Sequence, residues 1–308
     1  WQREATIGHS RRTWYDDKIK DWPDKYELNP PMRLRHMDLN FGNTCNLKCR
    51  MCGAWGSTAW FKEEEKLMAL DPEFKRSRGP KQPVIIPASY WESKKDMFQY
   101  LERIDFKGGE PMMQPGMFDF LEYLVEWGFA PNITIAYHTN GTIYDKDLLE
   151  LWKHFKKINI YFSLDSYKEI NKYLRYPSYF DLIEKNLQLF DQNSPDNVDM
   201  DILATVSNMS IWYVPEFVEW VVDQNFEKIC YKDSLDYSVG WIFNGIVHYP
   251  EFLSPKVLPA EIKKAITFKL LKHIDEYKDN MVFANLKGYV DMMNSEDLSH
   301  RLPELKEY

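Results

Sequence analysis

Glycine and cysteine are scarce in this 308-residue chain, at 13 and 4 residues. So little glycine excludes collagen-like and low-complexity architectures, and four cysteines in a chain this long exclude a disulfide-stapled scaffold. Positive charge is short as well: 39 Lys and Arg stand against 47 Asp and Glu, a net charge of −8. That balance gives no general footprint for nucleic acid or an anionic membrane. No apolar run approaches the roughly 20 residues that span a bilayer, and the opening WQREATIGHSRR has no signal-peptide core. The expectation is a chain with no membrane or nucleic-acid partner in a reducing, cytoplasmic setting. Trp1 stands where a start Met would, which reads as part of a longer product.

What is present is an apolar complement sufficient for a large core, 44% of residues, with aromatics at 16%. From about residue 32 to 235 a short apolar run, a polar loop and an amphipathic stretch recur in turn, the pattern of successive βα units. Expected strands are Leu34–Phe41, Arg103–Phe106, Ile133–Tyr137, Ile158–Phe162, Val198–Val206 and Lys228–Tyr231. Expected helices cover Ser57–Leu70, Gly116–Trp127, Lys146–Lys156, Tyr179–Phe190, Pro215–Asp223 and Pro259–Tyr277. The fold class is therefore α/β, a partial (β/α)6 TIM-like barrel with a parallel sheet and a mostly helical C-terminal extension. Three parts are expected: an N-terminal segment 1–31, a barrel 32–235 and an extension 236–308 that caps it. The run KEEEK at Lys62–Lys66 reads as a solvated helix face, and the polar stretch Phe74–Lys95 as a surface excursion, with a substrate-facing lid as the alternative.

In such a sheet the loops after the strands form the site, and each carries a polar motif. After the first strand comes CNLKCRMC, with Cys45, Cys49 and Cys52 spaced C-x3-C-x2-C. KGGEP follows the second strand, HTNGT the third, SLDS the fourth and SNMS the fifth. Structural zinc wants four ligands in a closed tetrahedron, and the fourth would have to be Cys230 or an unplaced His. An iron–sulfur cubane with three protein thiolates keeps one iron open. A buried strand residue is the simplest reading of Cys230.

With these residues in place, the sequence resembles the radical S-adenosylmethionine (SAM) superfamily, and in particular its twitch and SPASM-type members. The resemblance implies a [4Fe-4S] cluster on Cys45, Cys49 and Cys52 whose open iron chelates SAM. It also implies SAM contacts from Gly108, Gly109 and Glu110, with Glu110 receiving the methionine ammonium. Ser163 and Asp165 would reach the ribose or methionine, and Arg175 the carboxylate. Asn140 belongs to a turn near the cofactor, while Ser207 and Asn208 would line the adenine and ribose. Met51 takes the place of the aromatic residue usual before the third cysteine. The paired auxiliary-cluster cysteines of the twitch and SPASM members are missing from this sequence, so an upstream part is absent or that site does not exist.

The implied reaction is one-electron cleavage of SAM to a 5′-deoxyadenosyl radical, which abstracts hydrogen from a substrate. The electron would come from a donor such as flavodoxin or ferredoxin. A peptide or protein is the first expectation for the substrate, with a sugar or nucleotide as alternative. Tyr231, Lys232, Asp233, Trp241 and Phe243 are candidate substrate contacts. The non-enzyme rival is a zinc- or cluster-stabilised binding module.

Overall fold

The computed structural model describes residues 33–71, 73–74, 86–229, 245–278 and 280–307. Segment 1–31, Cys230, and the candidate substrate contacts Tyr231, Lys232, Asp233, Trp241 and Phe243 lie outside them. Five strands stand side by side in chain order: β1 His36–Asn40, β2 Arg103–Lys107, β3 Thr134–Thr139, β4 Lys157–Ser163 and β5 Val198–Leu203. Every neighbouring pair is parallel, so the chain must cross over between strands. The helices Pro115–Glu126, Lys146–Trp152 and Phe180–Asn193 lie in three of those crossovers, and Phe61–Leu70 lies in the one between β1 and β2. The expected sixth strand is present among the described residues as a single parallel bridge from Ile229 to Met200.

The two faces of the sheet differ in chemistry because alternate residues point to opposite sides. Ile104, Phe106, Ile135, Tyr137, Ile158, Ile160, Phe162, Met200 and Ile202 are all buried. They meet the apolar stripes of the crossover helices, where Phe120, Leu124, Trp152, Ile183, Leu187 and Phe190 join the same core. Ring packing gives this layer a defined shape: Phe106 stacks on Tyr137 at 5.2 Å, and the Trp152 indole N–H donates to the Tyr137 hydroxyl at 3.1 Å. The opposite, inner face carries His36 and Asp38, Arg103 and Asp105, His138, Tyr161, Asp199 and Asp201. It is a charged surface on a sheet whose other side is oil.

Two expectations are corrected by packing. The stretch Phe74–Lys95 is more than a surface excursion: Trp91, in the short helix Ala88–Glu92, is buried against Phe41, Phe98 and Phe120. A single Trp in a polar run gives no periodicity, so the sequence hides its role. The expected strand Val198–Val206 breaks at Ala204. Thr205 and Val206 leave the main sheet and pair in parallel with Gly245 and Ile246. The C-terminal region is helical, with Ala260–Glu276 and Leu286–Asn294 as its longer elements. Its residues Ile266, Leu270, Leu286 and Met293 enter the same apolar core as the sheet. Among the described residues no helix is long and apolar enough to cross a membrane.

Asp201 gives this architecture a pH signature. Burial, with repulsion from Asp199 added and Lys157 opposing, pushes its carboxyl from 3.8 up to about 7. The fold therefore favours the protonated form, and its contribution to stability is full below about pH 4 and is lost as the pH rises through 7. Asp201→Asn cannot ionise. It should raise the unfolding temperature at pH 8, by up to roughly 4 kcal/mol in stability, with the gain shrinking toward pH 4; thermal unfolding at the two pH values checks this.

Candidate functional site

The cysteine loop leaves β1 and is pinned from several directions. Asn43 donates its amide to the Ala54 carbonyl at 2.6 Å, and Ser57 donates to the Leu47 carbonyl at 2.5 Å. The Ala54 N–H donates to the Glu64 carboxylate at 2.8 Å. Glu64 is buried, which corrects the solvated reading of KEEEK: one of its three glutamates faces inward and closes the loop. Lys48 and Cys49 form a short antiparallel pair with Tyr176 and Arg175. The backbone N–H of Arg50 donates to the Leu174 carbonyl at 2.7 Å. A Cβ on Gly56 would come within 2.8 Å of the Cys52 sulfur, so the loop wraps tightly round that thiol.

Cys45, Cys49 and Cys52 are free and half-buried. Burial raises all three thiols, Cys49 to about 12 and Cys52 to about 11. N–H groups are aimed at two of the sulfurs: the Asn140 amide at Cys45, 3.7 Å, and the Arg175 guanidinium at Cys49, 3.9 Å. Among the described residues, the His, Cys, Asp and Glu side chains whose ligand atoms all gather within 4.8 Å are His36, Asp38 and Asp105, on the inner sheet face. Arg103 and Lys107 already neutralise those carboxylates. The three sulfurs with a fourth donor form no such group, which disfavours a single closed zinc. Donors directed at half-buried sulfurs suit a wider iron–sulfur cluster. Thr44 Oγ1 and Ser166 Oγ, both in the loops beside these residues, are buried without a hydrogen-bond partner. Such orphaned groups fit a loop cluster that takes a polar ligand.

Two carboxylates join the loops to one another. Glu110 is buried, accepts from Thr139 Oγ1 at 2.8 Å and the Met112 N–H at 3.2 Å on one oxygen, and from the Asn140 N–H at 2.7 Å on the other. Burial pushes its carboxyl up to about 7, against those three donors. One acceptor position of four is left on it. Asp165 takes Arg175 in a two-point pair, Nε at 2.7 Å and Nη2 at 2.8 Å, and also accepts the Thr205 N–H at 2.9 Å. This last bond explains the break in the fifth strand, because the carboxylate replaces a ladder partner.

The motif residues thus have structural duties that the sequence does not show. The two glycines of KGGEP give close approach to the chain itself: a Cβ on Gly109 would lie 2.3 Å from the Thr44 carbonyl, and one on Gly108 2.2 Å from Asn40 Oδ1. The Ser207 hydroxyl accepts the Met209 N–H within its own turn. Asn208 donates its amide to the Phe252 carbonyl at 2.9 Å, tethering the C-terminal region, and leaves its own oxygen buried and unpartnered. Met51 is half-buried between the second and third cysteines, and Ser163 is half-buried at the end of β4. Asn46 and Thr205 were missed: Asn46 accepts from the Asn140 amide at 2.9 Å, and neither residue carries a pattern that marks it. Asp165→Ala would leave the Arg175 guanidinium, whose side chain is 11% exposed, without its counter-charge. The expected loss is about 3–5 kcal/mol in stability, read by denaturant unfolding.

Several known proteins are similar to this chain. The family model described as the Radical SAM superfamily matches residues 39–221, more than half of the chain. The solved structure of native anSMEcpe with bound AdoMet superposes with a TM-score of 0.51 at 19% identity, covering 82% of this chain and 63% of that one. The same protein with AdoMet and Cp18Cys peptide gives 0.50 at 21% identity, over 82% and 62%. An uncharacterized protein of Archaeoglobus fulgidus is 29% identical over 122 residues, 39% of this chain and 27% of its own length. The chain therefore spans less than two thirds of the length of these relatives. At these identities the solved structures establish the shared fold, an α/β sheet of the partial-barrel kind. A [4Fe-4S] cluster and S-adenosylmethionine are the cofactors that the matched superfamily implies. The chain belongs to the radical SAM superfamily.

Proposed function

We propose that the chain is a radical SAM enzyme that acts on a peptide or protein. The observation that carries the enzyme reading is the convergence of three free, half-buried cysteines with Asn140, Arg175 and Glu110 beyond the C-terminal ends of the strands. When bound, cluster and SAM together supply one-electron cleavage of the sulfonium and hydrogen-atom abstraction from the substrate. The chain's own residues bind, orient and shield. Cys45, Cys49 and Cys52 would hold three irons of the cluster. The amide of Asn140 and the guanidinium of Arg175 donate to the sulfurs of Cys45 and Cys49, stabilising negative charge there. Glu110 offers its remaining acceptor position to an ammonium, a charge-assisted bond in a water-poor setting.

Arg175 has its Nε and Nη2 committed to Asp165 and aims Nη1 at the Cys49 sulfur, so the second N–H of each terminal nitrogen is left to meet a carboxylate. Asp165 acts through Arg175 as a positioning residue, and the Asn208 oxygen and Ser166 hydroxyl are available to a polar ligand. Gly108, Gly109, Met51, Ser163 and Ser207 shape the surrounding loops. The peptide reading is supported by the fold shared with anSMEcpe, a protein solved with a bound peptide. An external one-electron donor protein completes the scheme.

Anaerobic reconstitution tests this. The protein should take up iron and sulfide and, with dithionite, convert SAM to 5′-deoxyadenosine. Cys49→Ala should lose both, with 5′-deoxyadenosine falling by more than the roughly 10–100-fold that loss of a mere outer-shell partner of a metal site costs. Uptake of zinc alone, with no 5′-deoxyadenosine, would overturn the enzyme reading.

A further inference from the structure

The inner face of the sheet carries four acidic side chains on its strands, and three have a cation. Asp38 pairs with Lys107 at 2.8 Å, Asp105 with Arg103 at 2.8 Å, and Asp199 with Lys157. The fourth is Asp201. Its residue is 6% exposed, and its Oδ1 has no hydrogen-bond partner. A buried carboxylate oxygen without a donor loses its hydration and regains nothing. Such a group in a native fold calls for a partner, a water, an ion or a ligand.

Its position supports that role. Asp201 lies opposite Tyr161 in the register of β4 and β5, and Tyr161 lies opposite His138, whose ring stacks on it at 5.0 Å. Both aromatic residues are half-buried, so this row of the inner face is reachable. Asp201 precedes by four residues Thr205, whose N–H is held by Asp165. Asp201 also stands two residues before Leu203, where β5 ends and the chain turns toward that bond. A cation set there would meet an acid that, among the described residues, forms no close ion pair and feels only the Coulomb pull of Lys157, and the Tyr161 ring offers a π face to it.

We propose that Asp201 is a specificity-determining residue that binds a cationic group of the substrate, an ammonium or guanidinium. The inference rests on the enzyme reading above, since it names what the substrate of that site must carry. A lysine or arginine side chain of a peptide is the source that accords with that reading; an amino sugar would present the same chemistry. The raised carboxyl of Asp201 accords with the proposal, because an arriving cation would draw it back to the ionised form.

The test is a binding measurement on the whole chain that needs no turnover. Nα-acetyl-lysine methylamide, its arginine counterpart, the norleucine analogue and glucosamine are titrated by calorimetry into wild type and Asp201→Asn. The substitution is isosteric, and its fold is checked by the unfolding temperature. The expected result is saturable binding of a cationic probe by wild type, at least 10-fold weaker in Asp201→Asn and for norleucine. Glucosamine binding without lysine or arginine binding would keep the cation site and assign it to a small amine. Equal binding by wild type and variant, binding of norleucine as tight as lysine, or binding of no cationic probe by wild type would overturn the proposal. Formation of 5′-deoxyadenosine with dithionite, measured on wild type, reports on the enzyme reading separately.

Discussion

The carboxylate of Asp165 is the contact on which the arrangement depends. It is fully buried and takes three donors, two from Arg175 and one from the backbone of Thr205. Through Arg175 it reaches the Cys49 sulfur and the short pairing that holds the cysteine loop against Tyr176. Through Thr205 it turns the fifth strand out of the sheet and toward the C-terminal region. Placing a charge in the interior is costly unless it is paired and hydrogen-bonded. Here the same bonds that offset that cost fix three loops relative to one another.

Glu110 plays the matching part on the other side of the cysteines. Its oxygens gather Thr139, the Asn140 backbone and the Met112 backbone, while the Asn140 side chain reaches Cys45 and Asn46. Each flanking motif thus contacts the cysteine loop with one group and is locked by a carboxylate with another. Preorganisation of this kind suits a site whose difficult chemistry belongs to its cofactors, where the protein contributes orientation and exclusion of water. The polar inner face of the sheet extends the same site inward, with paired charges that fix its shape.

Much of this was legible in the sequence because the strands and helices repeat a clear period. The apolar runs around Ile104, Ile135, Ile160 and Met200 locate four strands to within a few residues. The motifs at their ends stand out because glycine and cysteine are scarce in the chain. What was hidden is whatever depends on contact rather than pattern. Trp91 looks like part of a polar insertion until Phe41 and Phe120 are beside it. Glu64 is one glutamate of three until Ala54 donates to it. Asp165 and Arg175 read as two separate ligand contacts, yet they bind each other, since spacing along the chain cannot show which charges meet in space. Gly109 reads as room for a ligand and proves to be room for the Thr44 carbonyl.

The central claim is that the three cysteines leave one iron open and that the surrounding loops present it to SAM. Electron paramagnetic resonance of the reconstituted, reduced protein tests it most directly, with SAM labelled by oxygen-17 in its carboxylate. The account predicts that SAM alters the cluster signal and that an oxygen-17 coupling appears. A signal that SAM leaves unchanged, with no coupling to the label, would contradict it.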